Sequence, residues 1–229
     1  TSFIGDGSQL TNLSSSSPFS FNDTSGDGIQ SETNTASGVY STAMGYQTEA
    51  SGGASTAVGY QSTASGYYST AMGEYTNASG DNSTAVGAAT TASGGASTAM
   101  GYLTEAIGGA STAMGYDTTA SGEFSTSVGY NTTASDYNSL VIGQYNLLGS
   151  TVTNSATEFS TDNTAFVIGN GTSPLDKSDA FKVMFNGDAT VSNDLRVKGD
   201  VTVGDVNVFS DARLKANIIS LGSTLAKLL

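Results

Sequence analysis

Ala-Ser-Gly-Gly-Ala-Ser-Thr-Ala-Val-Gly-Tyr, at positions 50–60, is one copy of a phrase that returns at a fixed interval along the chain. The alanines of its first triplet fall at Ala36, Ala50, Ala64, Ala78, Ala92, Ala106, Ala120 and Ala134. The pentads of Ser-Thr-Ala-Met-Gly type start at Ser41, Ser55, Ser69, Ser83, Ser97, Ser111, Ser125 and Ser139, in the same phase. A fixed short period is the mark of a solenoid, in which each unit covers its faces with its neighbours. A period of fourteen is too short for a pair of helices. It suffices for two strands of about five residues joined by two tight turns.

Each pentad alternates Thr and Met or Val with Ser, Ala and Gly, which is the period-two pattern of a strand. The less regular stretch, such as 47–50, supplies the second strand. Ser-Gly after each alanine supplies one turn, with Gly available for positive φ, and the pentad glycine (Gly45 and its equivalents) serves the other. Stacked at the strand spacing, eight coils rise ~40 Å. Two sheets so close leave no room for large side chains between them. Ala43, Ala57, Ala71, Ala85, Ala99 and Ala113 are the expected tight side. Met44, Val58, Met72, Val86, Met100, Met114, Val128 and Ile142 form a continuous apolar stripe on the other face. That stripe is either the interior of the roll or a seam between chains, because the two assignments differ by one residue of register. So thin a roll buries little apolar surface, and association of several chains is one remedy.

Composition removes whole classes of function. The 229 residues include no Cys and no His, so the soft metal ligands and the commonest general base are missing, and no metal or cofactor is expected. The net charge of −13 argues against nucleic-acid binding, which needs Lys and Arg clusters. No apolar run is long enough to span a membrane. No secretory leader pattern opens the chain, and it begins without Met, as expected of a piece of a longer protein. A flexible low-complexity linker is a poor reading, because a hydrophobe holds the same phase through eight copies. A flat ice-binding plane of Thr is equally poor, because each Thr shares its face with Met or Val.

The unit Ser-Thr-Ala-Met/Val-Gly-x4-Ala-Ser-Gly-x2 resembles the head repeat of trimeric autotransporter adhesins, over about residues 31–150. The resemblance implies an all-β, left-handed parallel β-roll of 14-residue coils and a homotrimer of three such rolls. One departure is Thr where the adhesin unit usually carries Val, which makes the stripe less apolar. The same roll is reused in phage tail fibres.

The flanks differ in character. Residues 1–30 read as a lead-in segment whose Gly5-Asp6-Gly7 is a turn rather than a Ca²⁺ loop. Residues 151–208 read as a last imperfect coil at 165–171 followed by a β-rich stalk, with Val191, Leu195, Val197, Val201 and Val203 as core. Residues 209–229 read as a short helix with Leu214, Ile218, Leu221, Leu225 and Leu228 on one face. Ser210-Asp-Ala-Arg-Leu-Lys-Ala-Asn-Ile218 resembles the opening of the intramolecular chaperone domain that ends phage tailspikes and fibres. That resemblance implies trimerisation of the chain and self-cleavage at Ser210. A serine needs a base, and Lys215 is the residue the family pairs with it, while Asp211 and Arg213 would orient the turn. The sequence stops at Leu229, a short way into a domain that is usually several times longer than the stretch present.

These readings converge on a fibre segment of virion-tail or cell-surface type that presents a region for a host receptor or glycan. Its only enzymatic activity would be a single-turnover serine autoproteolysis. The alternatives are a bacterial surface adhesin, or part of a glycan-degrading tailspike whose catalytic domain lies elsewhere.

Overall fold

The computed structural model describes residues 20–21, 29–31, 33–150, 152–153, 155–196 and 198. It divides into Thr1–Asn193, which holds all the described strands, and Asp194–Leu229, of which only four residues are described. Among the described residues there is no helix. The predicted C-terminal helix lies outside them.

The repeat period builds a parallel β-solenoid. Each coil contributes a five-residue strand, as in Thr56–Tyr60, and a two-residue strand, as in Thr63–Ala64. The longer strands run from Thr42–Tyr46 to Leu140–Gln144 in one sheet, and the short ones from Thr35–Ala36 to Thr133–Ala134 in a second. Register never slips across the array: Ala57 faces Ala71, which faces Ala85, and Val58 faces Met72, which faces Val86. Backbone bonds join the rungs, for example Thr56 N–H to the Ser69 carbonyl at 2.9 Å and Thr63 N–H to the Thr76 carbonyl at 2.8 Å.

Alternation assigns the faces. The pentad alanines and the triplet alanines are completely buried from Ala36 to Ala120 and form one continuous core. Ser55, Ser62 and their equivalents line the rest of the interior. The Met/Val stripe points outward, which settles the register left open by the sequence. The core is therefore made of alanine methyls, each stabilising by on the order of 1 kcal/mol, and of serine and threonine side chains whose hydroxyls cost free energy where they find no partner. Many of the interior hydroxyls, Ser55 and Thr76 among them, meet no partner, while Ser62 Oγ donates to the Gly73 carbonyl at 2.8 Å. At Ser127, a serine replaces a core alanine and its hydroxyl lies 2.9 Å from that of Thr132.

Two expectations are corrected. The second strand is two residues long, not five, because the chain turns sharply on both sides of it. The triplet glycine is needed for space, not for positive φ: a Cβ on Gly52 would lie 1.9 Å from the carbonyl oxygen of Gly66. Left-handed backbone falls instead on side-chain-bearing residues at the two corners. One column runs Tyr40, Ala54, Tyr68, Asn82, Ala96, Ala110, Phe124, Asn138; the other starts at Gln47 and Gln61 and ends at Tyr145. Such a conformation costs roughly 1–2 kcal/mol per residue. From Ala54 and Gln61 onward a bond to the previous rung offsets it: Ala54 N–H donates to the Val39 carbonyl at 2.7 Å, and Gln61 N–H to that of Tyr46 at 2.9 Å. The pentad glycine does have positive φ, +126° at Gly59, but it sits inside the strand.

Beyond Gln144 the rhythm changes. Strand Thr164–Asn170 adds one more parallel rung, Val167 facing Val141 and Ile168 facing Ile142, after a longer excursion. Asp179–Met184 and Ala189–Val191 then continue the sheet antiparallel. Val191 and Leu195 are 38% and 73% exposed in the single chain, so they are not core there; Val191 lies on a three-residue edge strand that is exposed throughout. Val197, Val201 and Val203 lie outside the described residues.

Candidate functional surface

The outward face of the long-strand sheet carries three parallel ridges, because positions one, three and five of each strand point the same way. Thr56 begins the first, Val58 the second and Tyr60 the third, and each repeats up the stack. The middle ridge is apolar and open: Met72, Met100 and Met114 are 43%, 39% and 38% exposed. Since the interior is already closed by alanine, this ridge lies open among the described residues.

The third ridge is an aromatic ladder in two pieces. Tyr46 and Tyr60 stack with ring centroids 5.4 Å apart. Tyr102, Tyr116 and Tyr130 stack at 5.1 and 4.9 Å. Glu74 and Ala88 interrupt the column between them. Each piece is closed by a corner tyrosine lying edge-on, Tyr75 against Tyr60 and Tyr145 against Tyr130. The hydrogen bond to Tyr130 is the largest cause that pushes the Tyr145 phenol up to about 12, followed by desolvation. The Tyr75 hydroxyl likewise raises Tyr60. The tyrosines of the pentads are visible in the sequence, but the edge-on pair is not, because it joins two different columns of adjacent rungs.

The ends of the array are sealed by polar side chains that the sequence reading missed. Asn146 accepts the Thr133 N–H at 2.8 Å and donates to the Thr133 carbonyl at 2.9 Å, replacing the next short strand. Asn34 does a similar service at the other end, accepting the Thr48 N–H at 2.8 Å. Unpaired strand edges invite unwanted pairing, and these amides cover them. Asp136 stands where earlier coils have glycine, and it is fully buried. Its carboxylate accepts the N–H groups of Ser150 at 2.7 Å and Thr164 at 2.8 Å, tying the excursion to the last rungs. The break in phase, Gly122 to Asp136, is its only sequence signal. Asp179 accepts the Leu147 N–H at 2.9 Å; burial pushes its carboxyl up, and that bond and Lys182 pull it part of the way back.

The acidic residues of the outward loops, Glu49, Glu74, Asp81, Glu105 and Asp117, are exposed, and Glu123 is half-buried. Ser210 and Lys215, with Asp211 and Arg213, lie outside the described residues. Among the described residues no group of His, Cys, Asp and Glu is placed to hold a metal ion, and no helix is long and apolar enough to cross a membrane.

The YadA head domain repeat, a two-copy family pattern, matches residues 36–62, 50–76, 78–104, 106–132 and 120–146, all inside the array. The array thus carries YadA head repeats and fits an adhesin-like head of an extracellular or cell-surface fibre. No curated protein matches the chain.

Proposed function

We propose that the chain is a segment of a homotrimeric fibre of phage tail-fibre type that holds out a host-binding surface. The observation that carries this reading is the open Thr/Met/Val face on a roll whose interior is already full. Exposed apolar ridges of this length mark contact sites, and burying one Met side chain contributes roughly 1.5–3 kcal/mol. Three rolls facing inward would cover all the ridges at once. Sedimentation of the intact chain tests it. A particle of three times the 23.0 kDa of one chain is expected. Met100→Glu should release folded or partly folded single chains. A wild-type chain that sediments folded at the mass of a single copy overturns the proposal.

The motif from Ser210 to Ile218 favours the tail-fibre form of this reading, with Lys215 taking the Ser210 hydroxyl proton so that the chain cuts itself there. Mass spectrometry of a longer parent protein tests this: cleavage at Ser210 that Ser210→Ala abolishes is expected, and a parent that stays intact contradicts it. The match to YadA head repeats favours the second form, a bacterial surface adhesin without self-cleavage.

A further inference from the structure

The corner that precedes each long strand is the least repetitive part of the array. Successive rungs carry Val39-Tyr40, Gly53-Ala54, Tyr67-Tyr68 and Asp81-Asn82 there. One rung of small residues thus lies between two aromatic ones. The gap is a cleft of about 220 Å³ lined by Val39, Tyr40, Gly53, Ala54, Tyr67 and Tyr68. Tyr40 and Tyr68, 69% and 66% exposed, stand on equivalent left-handed residues with φ of 61° and 58°. Tyr67 leans over the floor: a Cβ on Gly53 would come 2.7 Å from its ring.

We propose that this cleft binds a quaternary ammonium group, as in a choline headgroup displayed on the surface the fibre contacts. Tyr40 and Tyr68 line the same cleft from rungs two apart, ~9.6 Å along the stack, a span that leaves room for one cation within the ~6 Å over which a ring face attracts it. A trimethylammonium ion is apolar enough to enter a cleft walled by carbon, and a tyrosine face supplies negative potential without a strong acceptor. The charge around the cleft has the right sign. Asp81, on the next rung, accepts the Tyr67 N–H at 2.9 Å and places a carboxylate beside the cleft. All seven Lys and Arg lie at Lys177 or later, so no basic side chain of the array competes for the rings. The same lack of cations leaves an anionic glycan without a partner.

The proposal deepens the fibre reading by naming what the surface grips, but the cleft belongs to one chain. Its test is therefore independent of oligomeric state. Choline chloride is titrated into the full chain at constant ionic strength, against 3,3-dimethylbutanol, the uncharged isostere, with tyrosine fluorescence and calorimetry as readouts. Choline should bind at least tenfold more tightly than the isostere. Tyr68→Ala should lose at least tenfold, and Tyr68→Phe should retain affinity. Ala54→Tyr, which puts at 54 the residue found at 40 and 68, should fill the cleft and abolish binding with the circular dichroism unchanged. Tyr40→Ala gives a second removal of a wall should Ala54→Tyr fail to fold. Equal binding of choline and its isostere overturns the proposal. So does an absence of choline binding, or choline binding that survives both wall removals.

Discussion

The coil array and the segment that follows Gln144 stand on the same sheet but are held together differently. In the array, small side chains meet backbone: the interior is alanine, serine, threonine and glycine, and each rung repeats the last. After Gln144, side chains do the packing. Phe166 meets Phe181 with ring centroids 6.1 Å apart, Phe159 meets Phe185 at 5.1 Å, and the antiparallel pairing of Thr164–Asn170 with Asp179–Met184 has irregularities in register. Polar anchors such as Asp136 and Asp179 tie it down. The lesson is that a roll this thin gains order from identity between rungs, whereas the cap gains it from individual contacts. Substitutions should therefore fail in different ways in the two regions.

The sharpest break should come from adding one methyl group to the array. A Cβ on Gly94 would fall 2.0 Å from the Gly108 carbonyl oxygen, and that oxygen belongs to backbone that cannot move without opening the rung. Gly94→Ala is expected to cost about 4 kcal/mol, in the range of exceptional single substitutions, measured by thermal or denaturant unfolding. Next comes the anchor of the cap. Asp136→Ala strands the buried N–H groups of Ser150 and Thr164 and should cost roughly 2–4 kcal/mol. Hydrogen exchange should then rise around 145–164 while the array stays protected. Asp136→Asn, which keeps an acceptor oxygen, should cost less.

A smaller effect belongs to the ladder's end. The Tyr145 phenol is held at about 12, against an ordinary 10.0, chiefly by its bond to Tyr130. Because the folded value is raised, the stability it contributes is complete below pH 10 and is lost as pH rises from 10 to 12. Ultraviolet titration should show late-ionising tyrosines, of which Tyr130→Phe brings down the contribution of Tyr145 and leaves that of Tyr60. The smallest effect sharpens the first: Gly95, the neighbour of Gly94, has only the Asp81 carbonyl oxygen at 3.9 Å from its would-be Cβ. Gly95→Ala should be neutral or stabilise by about 0.5 kcal/mol, by restricting the unfolded chain.

The array was readable because its physics is periodic. Eight phased copies of Ala, Ser and Gly announce rungs, a narrow interior and a continuous Met/Val stripe. Register was the part left open, since Ala43 and Met44 are adjacent and either could have faced in; the structure places Ala43 inside. The corners were misread because the conformational freedom of Gly suggested that Gly52 turns the chain, whereas Ala54 does, and Gly52 is there so that two carbonyl-bearing backbones can pass. Asp136, Asn34 and Asn146 escaped notice because each acts once, through main-chain groups distant in sequence. The Ser210 and Lys215 pairing lies beyond the described residues and stands as a proposal.

The central claim is that a single roll leaves its Thr/Met/Val face for copies of itself to cover. Unfolding measured over a hundredfold range of chain concentration tests it most directly, because association couples folding to mass action. A midpoint that climbs with concentration is expected, with loss of sheet and loss of assembly in one transition. A midpoint that ignores concentration, in a protein that sediments as one fully folded copy, would contradict it.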